Sequence, residues 1–78
     1  MFNSEKMNNE EVICFWSKGF HKAHVTDLRI MKKIEILKDV KHLNIYFYPN
    51  GKIEWDFIIP SRFYNRIARL LGLKPNNY

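Results

Sequence analysis

The chain has 78 residues, 46% hydrophobic and 15% aromatic, with a formal net charge of +5. That composition suits one small core and is too apolar for a disordered chain, and the length excludes multidomain enzymes and repeat arrays. A single cysteine, Cys14, excludes an intrachain disulfide framework, and the longest uninterrupted apolar run, Val12 to Trp16, falls far short of the ~20 residues of a membrane-spanning helix.

The start of the chain is polar and acidic, unlike the basic beginning of a secretory leader. With the lone cysteine, this favours a reducing, cytoplasmic location. Residues 1–8 are expected to fray. Asn8 or Asn9 followed by Glu10 and Glu11 resembles a helix start, and Gly19 a helix end. These signals favour a helix over residues 9–18, against the strand-forming character of Val12 to Trp16. Residues 25–37 alternate through Leu28, Ile30, Ile34 and Ile36, with Lys32 as the exception. Alternation favours a strand there, broken near Lys32 and Lys33. Lys38 to Lys41 then reads as a turn.

Residues 43–59, LNIYFYPNGKIEWDFII, read as a β-hairpin. A three-residue loop, Pro49-Asn50-Gly51, sets Phe47 opposite Ile53, Ile45 opposite Trp55 and Leu43 opposite Phe57. Asn44, Tyr46 and Tyr48 then share the other face with Lys52, Glu54 and Asp56. A type I turn led by Pro49, with Gly51 in the left-handed region, suits that loop. Ser61 is placed to cap a helix over about residues 62–71, whose apolar face is Phe63, Ile67, Leu70 and Leu71. Gly72 closes it, Pro75 prevents its resumption, and residues 75–78 are expected to fray. The fold class is therefore α+β. One small domain spans residues 1–78, an antiparallel sheet of three or four strands with the C-terminal amphipathic helix packed on one face. A second helix lies near the N-terminus if residues 9–18 form one.

Charge is concentrated at the C-terminal end. Residues 60–78 hold Arg62, Arg66, Arg69 and Lys74 and no acid. On a helix the three arginines fall within about 60° of one another, so they form a stripe able to meet successive phosphates as bidentate donors. Asn65 lies on the same side, within reach of a base edge. The competing reading is a solvated helix face whose arginines pair with Glu54, Asp56 or the Glu10–Glu11 end.

Tyr46 and Tyr48 on the polar sheet face offer rings for base stacking, but Glu54 and Asp56 beside a single Lys52 repel phosphate there. A protein-contact surface formed by Tyr46, Tyr48, Lys52, Glu54 and Asp56 fits that mixture better. The same two carboxylates share a strand face and are close enough to hold a divalent ion, though no further acid or catalytic base is signalled by spacing. Cys14, His21, His24 and His42 are the soft metal ligands, without the paired dyads of a structural zinc site. Cys14 sits in an apolar run, unsuited to a reactive thiolate. Neither an activated serine nor a glycine-rich phosphate loop is present.

These features imply a non-catalytic binding protein without metal or cofactor, acting by occupancy. Its partner is expected to be nucleic acid, read through backbone and shape, or an acidic protein surface, with no membrane role. Both monomer and homodimer are open. The alternative is a small phage or mobile-element type of inhibitor that docks on a host protein or nucleoprotein complex. A small metal-dependent nuclease using Glu54 and Asp56 is a distant third.

Overall fold

A computed structural model of the chain describes residues 12–74. The helix start read at Asn8 to Glu11 and both ends expected to fray, 1–8 and 75–78, lie outside the described residues. Within them run β1 (Ile13–Ser17), β2 (Phe20–Val25), α1 (Leu28–Glu35), β3 (Lys41–Phe47) and β4 (Ile53–Pro60). A 3-10 turn at Ser61–Phe63 then leads into α2 (Tyr64–Leu70). The four strands form one antiparallel sheet in the order β1-β2-β4-β3. The α+β expectation holds: four strands, with the C-terminal helix on one face and a second helix beside it.

The hairpin forms around the expected loop. Tyr48 N–H donates to the Lys52 carbonyl and Gly51 N–H to the Tyr48 carbonyl, both at 2.9 Å. Gly51 has φ +88°, the left-handed position that closes a type I turn onto paired strands. Phe47 faces Ile53 and Ile45 faces Trp55, as the loop length dictates. The third expected pair is different. A bulge lies between His42 and Asn44, so Phe57 is paired with His42 and Leu43 becomes the extra residue. The His42 ring packs against Phe57 with centroids 4.5 Å apart. Side-chain alternation alone carries no signal for such an insertion.

Two elements differ in type from the sequence expectation. Residues 13–17, read as part of a helix, are strand β1. Gly19, with Lys18, makes the turn into β2 instead of ending a helix, and Ser17 faces Phe20 across it. The β-forming character of Ile13 to Trp16 prevails because pairing with β2 satisfies the backbone and buries Ile13.

The second difference is residues 28–35, read as a strand, which form helix α1. Asp27 caps it, accepting from Arg29 N–H at 2.8 Å. The buried face uses Met31 and Ile34, with Ile30 and Leu37 partly buried beside them. Leu28 and Ile36, half of the apparent alternation, are 50% and 79% exposed and lie outside the core.

Helix α2 keeps the expected end. Gly72 N–H bonds the Arg69 carbonyl at 3.1 Å and Leu73 N–H the Ala68 carbonyl at 2.8 Å, the paired bonds of a Schellman stop. Gly72 sits at φ +76°, where a Cβ would be strained. Its start is not as expected. No side chain caps either the 3-10 turn or α2, and Ser61 Oγ bonds His21 Nδ1 at 2.8 Å instead. Tyr64, Ile67 and Ala68 are its buried residues, and Phe63, Leu70 and Leu71 are only partly buried.

Both helices pack on the same sheet face. Ile13, Ala23, Val25, Trp55, Phe57 and Ile59 from the strands meet Met31, Ile34, Tyr64, Ile67 and Ala68 from the helices. Among the described residues no helix packs on the opposite face. Strand β3 has no buried residue at all.

Candidate functional site

Two surfaces collect the candidate residues, one on each side of the sheet. Strand pairing builds the first. His24 on β2 lies directly opposite Asp56 on β4, and Asp56 lies opposite Asn44 on β3. Tyr46 is opposite Glu54. Period two turns all of these side chains to the open face.

There they form a closed network. His24 Nδ1 is 2.7 Å from Asp56 Oδ1 and His24 Nε2 is 2.9 Å from Glu54 Oε1. Tyr46 OH donates to Asp56 Oδ2 at 2.6 Å, and Asn44 Nδ2 donates to the same oxygen at 3.3 Å. Tyr48 OH donates to Glu54 Oε1 at 3.1 Å, and Lys52 Nζ stands 3.4 Å from Glu54 Oε2. A neutral imidazole has one N–H, so an imidazole held between two carboxylates donates from both nitrogens only as the imidazolium.

The titration behaviour agrees. Burial opposes the charge on His24, but the hydrogen bonds to Asp56 and Glu54 outweigh it and hold its pKa above the ordinary value. Burial likewise pushes the Asp56 carboxyl up, and hydrogen bonds from Tyr46, His24 and Asn44 more than reverse that. Glu54 is held low chiefly by His24. Hydrogen bonding to these carboxylates raises the phenols of Tyr46 and Tyr48. Asp56 is thus an ionised group at 2% exposure, acceptable only because every direction of its charge is met.

This network contains the five residues read as a protein-contact face, Tyr46, Tyr48, Lys52, Glu54 and Asp56, and adds Asn44 and His24. The histidine was missed because it is thirty residues from Glu54 in sequence. The signal existed: a strand over 20–25 with period two puts Lys22 and His24 on one side. As a metal site the cluster is poorly disposed, since the carboxylate oxygens already accept from His24, the tyrosines and Lys52. Among the described residues no group of three His, Cys, Asp or Glu is arranged to hold a metal ion. The remaining soft ligands are scattered. His21 is buried against Tyr64 on the helix side, and His42 lies 3.4 Å from Glu35.

The second surface is the outside of the helical layer. Arg62, Arg66 and Arg69 are all exposed. Arg62 is paired with Asp39 at 3.0 Å and lies 4.8 Å over the Phe63 ring. It does not reach Glu54 or Asp56, which are on the other side of the sheet. Asn65 is half-buried and engaged by a polar or electrostatic contact, as is Lys74, which is exposed just past the helix.

Helix α1 adds Arg29, Lys32 and Lys33, also exposed, which the sequence reading had assigned to a strand. The acids on this side are engaged. Asp27 caps α1, Glu35 faces His42, and Asp39 holds Arg62. Among the described residues Lys32, Lys33, Arg66 and Arg69 have no ion-pair partner.

Compared with known protein families, with curated proteins and with solved structures, the chain matches none. Among the described residues no helix is long and apolar enough to cross a membrane.

Proposed function

We propose that the protein is a non-catalytic nucleic-acid-binding module acting by occupancy through its helical layer. One observation carries this reading: unpaired Lys32, Lys33, Arg66 and Arg69 share the side of the sheet opposite the Glu54–Asp56 carboxylates. Phosphate approaching the helices meets these cations, while the Glu54–Asp56 pair lies across the sheet. Arg66 and Arg69 offer forked donors to backbone phosphates, and Arg62 joins them when Asp39 lets go. Recognition through backbone and shape is the expected mode, with Asn65 the one side-chain amide on that helix face.

The test is titration of labelled single- and double-stranded DNA and RNA with purified protein at several salt concentrations. A log–log salt slope of about −3 to −4 is expected, the mark of roughly four neutralised phosphates. The Arg62→Ala, Arg66→Ala, Arg69→Ala triple variant should bind far more weakly and with a shallower slope. Absence of binding at low salt, or equal binding by the triple variant, overturns the reading.

A second reading, docking on a host protein as an inhibitor, is favoured by one feature. Tyr46 and Tyr48 remain 37% and 42% exposed while their hydroxyls are anchored to Asp56 and Glu54. Fixed aromatic rings over a polar floor suit an interface hot spot. On this reading Tyr46→Ala or Tyr48→Ala abolishes a complex with one defined protein and leaves nucleic-acid binding intact.

A further inference from the structure

Strand β3 ends the sheet, and among the described residues no strand pairs with its outer side. The Tyr48–Lys52 hydrogen bond fixes which backbone groups face outward. Alternation along an antiparallel ladder turns those of Tyr46 and Asn44 toward β4 and those of Ile45 and Phe47 away from the sheet. Their side chains lie on the helix side, where neither helix reaches them. Ile45 is 47% and Phe47 74% exposed, with Leu43 and Ile53 more than a third exposed beside them.

Natural sheets blunt such edges with charge, proline or a bulge. Here those devices stand only at the ends, as the bulge at Leu43 and Pro49 beyond the strand. From His42 to Tyr48 there is no Lys, Arg, Asp or Glu.

We infer that β3 pairs antiparallel with β3 of a second copy, about a two-fold axis at Ile45. Three observations select this occupant and this register. The uncharged stretch from His42 to Tyr48 has Ile45 at its midpoint, so symmetric pairing keeps Lys, Arg, Asp and Glu out of it. In that register Ile45 meets Ile45, Phe47 falls beside the bulged Leu43 and Asn44 meets Tyr46, so apolar and polar side chains stay in phase. Charge also agrees, because Lys41 of one copy falls opposite Pro49 of the other and no like charges are juxtaposed.

The product is a continuous eight-stranded sheet with both helical layers on one face. Its contact is smaller than the ~800 Å² per partner of a standard stable interface, so the dimer depends on concentration.

Sedimentation equilibrium of the full chain, without nucleic acid, tests this up to several hundred micromolar. A monomer–dimer equilibrium is expected, weakened at least tenfold by Ile45→Lys, which sets two cations face to face. Because Ile45 is half-exposed, the variant should keep the far-ultraviolet circular dichroism of the parent. A second measurement reads the register.

In a Cys14→Ser background, Ile45→Cys should oxidise to a disulfide dimer, since paired Cα atoms are about 5.5 Å apart. Phe47→Cys should not, because its symmetry mate is roughly 14 Å away along the strand. A monomer at all concentrations, a dimer indifferent to Ile45→Lys, or equal crosslinking of both cysteines overturns the proposal. None of these results bears on nucleic-acid binding by the monomer.

Discussion

Nδ1 of His24 stands 2.7 Å from Oδ1 of Asp56, its direct cross-strand partner, with the Tyr46 ring centroid 5.9 Å from that of the imidazole. The pair couples folding to pH. A histidine whose pKa is raised by folding stabilises the fold fully below its unfolded value of about 6.5 and ceases to do so as pH rises through the folded value. Asp56 and Glu54, both lowered, stabilise above the ordinary carboxylate range and stop doing so as pH falls through their folded values. His21 acts oppositely to His24, because burial lowers its pKa and acid then favours the unfolded chain. Urea denaturation should show the parent's stability declining as pH rises from about 6.5 through the raised folded value of His24. In His24→Gln that alkaline decline should vanish, at a cost of about 1–3 kcal/mol near pH 6 from stranding Asp56.

Asp39 is predicted to restrain the basic surface. It holds Arg62 at 3.0 Å from the left-handed region, φ 68°, where glycine fits better than aspartate. Asp39→Gly removes an exposed ion pair and some backbone strain together, so stability should stay within about 0.5 kcal/mol. Affinity for nucleic acid should rise, with the salt slope steeper by about one as Arg62 becomes available.

Ile67 anchors α2 in the core at 0% exposure, as Ile34 anchors α1. Ile67→Ala should cost about 2–5 kcal/mol by cavity formation. A domain this small has little reserve, so thermal unfolding should show most molecules unfolded near physiological temperature. An equally truncating change at Ile36, which is 79% exposed, should leave the melting temperature nearly unchanged.

Ser61 is predicted to matter through His21 and not as a helix cap. Ser61→Ala removes the hydroxyl 2.8 Å from the buried imidazole, with an expected loss of about 1 kcal/mol in chemical denaturation. Ser61→Asp distinguishes the roles. If the position acted as a cap, aspartate would serve as well as serine. Against His21, it should instead raise the imidazole pKa, visible by NMR titration.

The legible parts of the fold were those specified by neighbours in sequence. Pro49-Asn50-Gly51 determined loop length and hence the pairing of Phe47 and Ile45, and Gly72 marked the end of α2. The Tyr46–Glu54–Asp56 face followed from the same register. What escaped was decided at a distance. Whether Ile13 to Trp16 became strand or helix depended on β2 offering a partner, and α1 was hidden by an accidental alternation whose outer members, Leu28 and Ile36, face water. The Asp27 cap was the local clue. His24 joined the carboxylates only through β2–β4 pairing, which no short stretch of sequence encodes. The bulge at Leu43 belongs to the same class, being a property of two strands together.

The β2–β4 ladder has a consequence for how the chain assembles. It divides the described residues into two similar pieces, β1-β2-α1 and β3-β4-α2, each made from contacts local in sequence. The long-range ties between sheet strands cross that single seam: the ladder from Phe20–Pro60 to Val25–Trp55, the His24 network and the Ser61 N–H to Gly19 carbonyl bond. Local pieces form fast, and joining them is the slow, entropically costly step. A backbone cut near Lys38 would therefore leave two fragments that recognise each other, making this small sheet a natural candidate for a split reporter.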